Sequence, residues 1–299
     1  MCTLIFDIHG GLTDQKRDII SILHFCNNKD FKFSVRQGHC RDANDSIGFK
    51  YYDFKNLFND DMFTCQPNYV SYDKIKPRMT TKNTLDMYET KIKKNLWKDA
   101  GKKNLQNVMA TLPEIISENS KEYIIIGGSF WSYYNSPTWI SGDIVEAEKS
   151  GIIKPSKKIL DKYEEIKTRI NVNEFNFIQY RYEKDWESHC KYKNIKFMKI
   201  PFDKLIEKIP FKKNLPVYVS ASCVESLYEN GYSTKKLSEC PNVIYKYNSE
   251  VEGFKFDECG YIDCLFGMNA QEVYGFSVSG FSDFLNRYKK TNNAYDKIV

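Results

Sequence analysis

The chain has 299 residues, of which 41% are hydrophobic, 28% charged and 15% aromatic, a composition that groups it with soluble globular proteins and leaves room for about two domains. Its formal charge of +5 comes from 44 basic and 39 acidic residues, too even a mixture to call for a nucleic-acid partner. The nine cysteines include no paired two-residue spacing of a zinc site and read as reduced, partly buried thiols.

The opening residues, MCTLIFDIHGG, run straight into a strand pattern with no basic leader, and no run of about 18 apolar residues follows anywhere. A cytoplasmic protein without a membrane span is expected. TLIFDI precedes His9, Gly10 and Gly11, and comparable apolar runs recur as FKFSV, YIIIGG, FNFIQY, IKFMKI, PVYVSA and NVIYKY. Between them lie helical patterns. TDQKRDIISILHFCNN puts Ile19, Ile20, Leu23 and either Phe25 or Cys26 near one face. SKKILDKYEEIKTRI, announced by Pro155 and Ser156, carries Ile159, Tyr163, Ile166 and Ile170 as a stripe. Strands alternating with helices predict a parallel α/β architecture. With no repeat and no low-complexity linker, residues 1–154 and 155–299 read as two domains sharing an interface. Residues 41–105, rich in Asp, Asn, Tyr and Lys, read as an irregular insertion in the first, with no strand placed in it.

Three segments carry chemistry. In FDIHGGLTDQKRDI, residues 6–19, adjacent glycines let backbone approach a ligand and the following helix start offers amides to an anion. The glycine spacing is neither a dinucleotide fingerprint nor a Walker loop, and a Gly-Gly turn is also simply a turn. Arg181, in FNFIQYRYEKDWESH, follows directly on a strand pattern, at the end where ligands of open α/β sheets gather, and its planar fork suits phosphate. The alternative is a salt bridge to Glu183 or Asp185. In EVYGFSVSGFSDFLNRYKK, a short strand runs into Ser277, Ser279, Gly280 and Ser282, which offer hydroxyls and free amides at a helix N-terminus. Ser282 alone also reads as an N-cap. The four histidines do not cluster at metal-ligand spacing, there is no Gly-x-Ser-x-Gly elbow, and no Asp-x-Asp pair stands ready for a divalent cation.

In this order the three segments resemble the GDP-fucose protein O-fucosyltransferase and α-1,6-fucosyltransferase superfamily. Asp263, Ala270, Gly275 and the run Ser279, Gly280, Phe281, Ser282, Asp283, Phe284 match its C-terminal motif, with Gly280 in place of Ser. Gln179 to Trp186 resembles its His-x-Arg strand end and acidic, aromatic tail, with Gln179 where His is usual. Gly10 to Gln15 is similar to its N-terminal glycine turn, with Asp14 where Asn is common.

The resemblance implies a GT-B fold, two Rossmann-like domains facing across a cleft, and an inverting, metal-independent transfer of fucose from GDP-fucose to a hydroxyl acceptor on a glycan or protein. No cofactor beyond the nucleotide-sugar donor is implied. Arg181 is then expected to bind the diphosphate and steady the departing GDP, and Ser279, Gly280, Phe281 and Ser282 to cradle the same phosphates. Asp263 is expected to receive the guanine edge, His9, Gly10 and Gly11 to line the donor site, and Asp14, or second Glu183, to take the acceptor's proton. A GT-B enzyme with another nucleotide sugar, or a non-catalytic nucleotide- or glycan-binding relative, is the alternative.

Overall fold

The computed structural model describes residues 2–42, 45–86, 120–127, 140–182, 186–187, 190–191, 200–222 and 224–297. The chain divides into two compact units, Met1–Cys40 with Phe49–Ser156, and Arg41–Gly48 with Lys157–Val299.

The first unit is built around β1 (Thr3–Ile8), whose six residues are all buried, as expected of a parallel strand covered on both faces. Helix α1 (Leu12–Lys29) follows at once. It starts at Gly11 and stops at Asp30, which turns left-handed at φ +53° and closes the last turn through its amide on Cys26 O. Its buried face carries Ile19, Ile22, Leu23, Phe25 and Cys26, while Ile20, expected there, is only half-buried. The chain continues through β2 (Lys32–Asp42), β3 (Asp45–Tyr52), α2 (Asp61–Thr64), α3 (Tyr72–Ile75), β4 (Thr84–Asp86), β5 (Tyr123–Ile126) and α4 (Ile140–Lys149). The five strands stand in the order β3-β2-β1-β5-β4, with β2 and β5 parallel to β1 and β4 parallel to β5. Residues 41–105, in which the sequence allowed no strand to be placed, contain β3 and β4, and β2 extends into them. Their residues lack the run of β-branched side chains that marks β5, so no apolar pattern announced them.

The second unit begins with α5 (Lys157–Ile170), which buries Ile159, Tyr163 and Ile166; Ile170 is half-buried. Then come β6 (Asn176–Gln179), α6 (Phe202–Lys208), β7 (Val217–Ser220), β8 (Val243–Ile244), α7 (Phe256–Asn269), β9 (Val273–Tyr274) and α8 (Gly280–Lys289). Of the IKFMKI pattern, only Ile200 lies within the described residues. The sheet order is β8-β7-β6-β9, and each adjacent pair is parallel. An aromatic column backs it. The Tyr218 ring stacks on Phe177 at 5.8 Å and on Phe266 at 4.2 Å, and Tyr163 of α5 meets Phe266 edge-on at 4.8 Å. Each such pair adds about 0.5–1.5 kcal/mol to the burial of its rings.

The strand orders fix where ligands can gather. From β6 the chain steps outward to β7 and β8, then returns to place β9 on the other side of β6. The turns leaving β6 and β9 therefore diverge, opening the crevice of a topological switch point at the carboxyl edge. In the first unit β1 and β5 are related in the same way. The His9-Gly10-Gly11 turn leaves the sheet at that first switch point; Arg181 and Ser277 to Ser282 lie at the second.

Candidate functional site

At the second switch point the organising residue is Gln179. It ends β6, opposite Ser220 of β7, and is 6% exposed. Its Oε1 accepts from the hydroxyls of Ser279, at 2.9 Å, and Ser282, at 2.5 Å. Both serines are buried, and each also accepts from backbone. Ser279 caps α8 through the Ser282 amide at 3.4 Å, and Ser282 Oγ accepts from the Phe276 amide at 3.2 Å. The hydroxyls thus shape the turn from within. Ahead of them, the amides of Gly280 and Phe281 have no acceptor among the described residues, as first-turn amides need a ligand or water to satisfy them. Ser277 lies apart from this set, its amide and hydroxyl on Asp296 at 2.7 and 2.5 Å.

Arg181 stands two residues beyond Gln179. Its guanidinium carbon lies 4.4 Å from the centre of the Trp186 ring, and its amide donates to the Tyr295 hydroxyl at 3.4 Å. Trp186 meets Phe276 edge-on at 5.4 Å, and Phe276 meets Tyr295 at 5.6 Å. Because Phe276 also donates its amide to Ser282, the arginine loop and the serine turn are packed through shared side chains. A guanidinium over an aromatic face is attracted to the ring's negative face, which helps to hold it in position. Glu183 and Asp185, the salt-bridge alternatives, lie outside the described residues.

Asp263, on α7, is 4% exposed. Oδ1 accepts from the Tyr218 hydroxyl at 2.9 Å; Oδ2 accepts from the Ser220 hydroxyl at 2.8 Å and from Lys246 Nζ at 2.5 Å. Burial first, and then the Asp263 charge, push the Tyr218 phenol well above its ordinary value, so it stays a donor. Since Ser220 pairs with Gln179 across the sheet, a buried polar row crosses the carboxyl edge from Ser282 through Gln179, Ser220 and Asp263 to Lys246.

In the first unit, Gly10 has φ +93°, and a Cβ there would come within 2.8 Å of the Asp14 Cβ, so the turn demands glycine. Gly11, at the N-cap, brings no side chain to the first-turn amides. Gln15 closes the turn, its Nε2 on Gly10 O at 2.9 Å and its Oε1 accepting from Tyr52. The His9 amide donates to Asp18 at 2.8 Å. Asp14, one-third exposed, accepts from Arg17 Nη1 at 2.9 Å.

Among the described residues no group of three His, Cys, Asp or Glu has the arrangement of a metal site, and no helix is long and apolar enough to cross a membrane. Burial pushes the Cys26 thiol up, and Cys259 to about 11, which leaves both inert as nucleophiles. Gln179, Trp186 and Gly275 entered the sequence reading only as parts of the family's motifs, with no role given to them, and Ser220 and Lys246 were not picked out at all; the strand-end position of Ser220 was its only signal.

No protein-family model and no curated protein sequence matches the chain. Solved structures do. POFUT1 in complex with GDP is 13% identical with a TM-score of 0.61, over 98% of this chain and 97% of that one. POFUT1 in complex with GDP-fucose is 13% identical with a TM-score of 0.61, over 98% and 96%. The fucosyltransferase NodZ from Bradyrhizobium is 11% identical with a TM-score of 0.52, over 98% and 93%. At such identities the likeness establishes the fold, an α/β chain of the GT-B class in which β2, β1, β5 and β4 of the first unit run parallel, as do all four strands of the second.

Proposed function

We propose that the chain is an inverting glycosyltransferase that moves fucose from GDP-fucose to a hydroxyl of a glycan or protein, without a metal. The observation that carries this reading is the pairing, at one switch point, of a stacked arginine with a helix N-terminus whose leading amides are bare. Both are suited to a diphosphate. The solved POFUT1 and NodZ structures with GDP or GDP-fucose support the choice of donor.

In the proposed reaction the bond between the anomeric carbon and the β-phosphate oxygen breaks as the acceptor oxygen bonds to that carbon from the opposite face. Arg181 and the amides of Gly280 and Phe281 take up the negative charge that grows on departing GDP, preorganised help worth about 3–4 kcal/mol for a single donor. Ser279 and Ser282 hold those amides in place. The acceptor's proton passes to a carboxylate, with Asp14 the first choice and Glu183 the second. His9, Gly10 and Gly11 form the first unit's contribution to ligand binding.

The test is to incubate the protein with GDP-fucose and acceptor candidates, with and without EDTA, and follow GDP release. Release that survives EDTA is expected; a folded protein that binds no guanine nucleotide at millimolar concentration would refute the proposal. A second reading, a donor with another base, draws on Asp263. Its carboxylate is engaged by Tyr218, Ser220 and Lys246, so guanine must share or displace one of them. A competition panel of GDP, UDP and ADP separates the readings.

A further inference from the structure

The hydrogen-bond pattern at the second switch point fixes the orientation of the Gln179 carboxamide. Ser279 Oγ and Ser282 Oγ each accept from a backbone amide, and each hydroxyl proton has a single acceptor among the described residues, the Gln179 side chain. Two buried hydroxyl protons must have that acceptor, so the oxygen of the carboxamide, not its nitrogen, faces the serines. Nε2 then points away from both. Among the described residues it has no acceptor, although the side chain is 94% buried, being 6% exposed. Nε2 does not belong to the fully buried side-chain atoms that lack a partner, so this donor keeps some access to solvent, and an arriving acceptor can replace the water on it.

We infer that Gln179 Nε2 is a ligand donor, giving a hydrogen bond to a phosphoryl oxygen bound at the N-terminus of α8. The inference rests on the diphosphate reading of this site and adds a contact to it. Its support is positional: the carboxamide is bonded to the two residues that bracket the bare amides of Gly280 and Phe281, so its nitrogen and those amides belong to one donor surface. Three neutral donors, with Arg181 from the same loop, meet an anion whose oxygens accept and never donate. The same side chain would thus do two jobs, its oxygen ordering the turn and its nitrogen reading the ligand.

Glu in place of Gln179 separates the two jobs. Gln179→Glu keeps acceptors for both hydroxyls but replaces the donor by a second oxygen and adds a negative charge. With inorganic pyrophosphate as the probe in calorimetry, affinity is expected to fall about 10- to 100-fold, the worth of one hydrogen bond to a charged group. Guanosine, which has no phosphate, should bind both forms equally. Equal pyrophosphate affinity in the two proteins, a parallel loss for guanosine, or no pyrophosphate binding by the unaltered chain would overturn the inference. Pyrophosphate binding that is lost in Gln179→Glu, in a protein that ignores GDP and guanosine, would instead uphold it and refute the GDP-fucose reading. Should the variant not fold, the side-chain amide protons of Gln179 in the unaltered, nitrogen-15-labelled protein decide. They should move downfield on adding pyrophosphate, and an unchanged signal at saturation rules the contact out.

Discussion

The hydroxyl of Ser282 occupies the space a side chain at residue 275 would need: a Cβ on Gly275 would lie 2.0 Å from Ser282 Oγ and 2.5 Å from its Cβ. β9 can therefore approach α8 only with glycine at its end. Gly275→Ala is expected to push α8 outward and break the bonds of Ser282 to Gln179 and Phe276. Overpacking of this kind costs about 1–3 kcal/mol, readable in urea unfolding, and pyrophosphate binding should weaken with it. An unchanged midpoint and unchanged affinity would show that the turn is not held by this approach.

Arg181→Ala should slow GDP release from GDP-fucose at least about 100-fold, the scale of removing one preorganised donor from a developing charge. Arg181→Lys should recover little, because an ammonium keeps the charge but neither the fork nor the plane that lies on Trp186. Trp186→Leu leaves the arginine in place without its platform, so a smaller loss of rate is expected. Steady-state rates for the three variants check the order.

Lys246→Met strands the Asp263 carboxylate among Tyr218, Ser220 and apolar neighbours. Breaking one side of a buried pair costs about 3–5 kcal/mol. The double variant Lys246→Met with Asp263→Asn removes the stranded charge and should regain much of the loss. Denaturant titration of the single and double variants measures both.

Asp203, on α6, gives an acid dependence with a definite sign. Burial alone would raise its pKa, but the Thr234 hydroxyl and amide, with the Ser233 hydroxyl, outweigh burial and hold it below the ordinary value. A depressed carboxyl contributes stability above its unfolded pKa, and loses it as pH falls through the folded one. Thr234→Val should therefore cost about 1–2 kcal/mol near neutral pH, a deficit that shrinks as pH drops below the unfolded-carboxylate range. A deficit independent of pH would mean that the hydroxyl matters only for packing.

Local patterns were legible where a strand is apolar throughout or a helix has a regular stripe. TLIFDI became β1 without change, and Ile159, Tyr163 and Ile166 face the core as their spacing implied. The short edge strand β8 covers only two residues of NVIYKY, because a strand with one neighbour can end as soon as its partner turns away. The site was less legible for a physical reason. Gln179 and Ser282 are 103 residues apart, and their meeting depends on β6 and β9 being adjacent, a fact of sheet order that no window of sequence contains. Lys246 was invisible in the same way: as one lysine among many it reads as surface, and only the register of β7 beside β8 brings it to Asp263.

The buried polar row from Ser282 to Lys246 bears on the heat of binding. A side chain that is immobilised only when a ligand arrives opposes association by about 0.5–1.5 kcal/mol of lost freedom. Here Gln179, Ser279, Ser282, Ser220 and Asp263 are already held by one another. Little of the ordering is left for the encounter, so a phosphate should dock on this edge much as a key enters a cut lock, with a modest entropic term in a calorimeter.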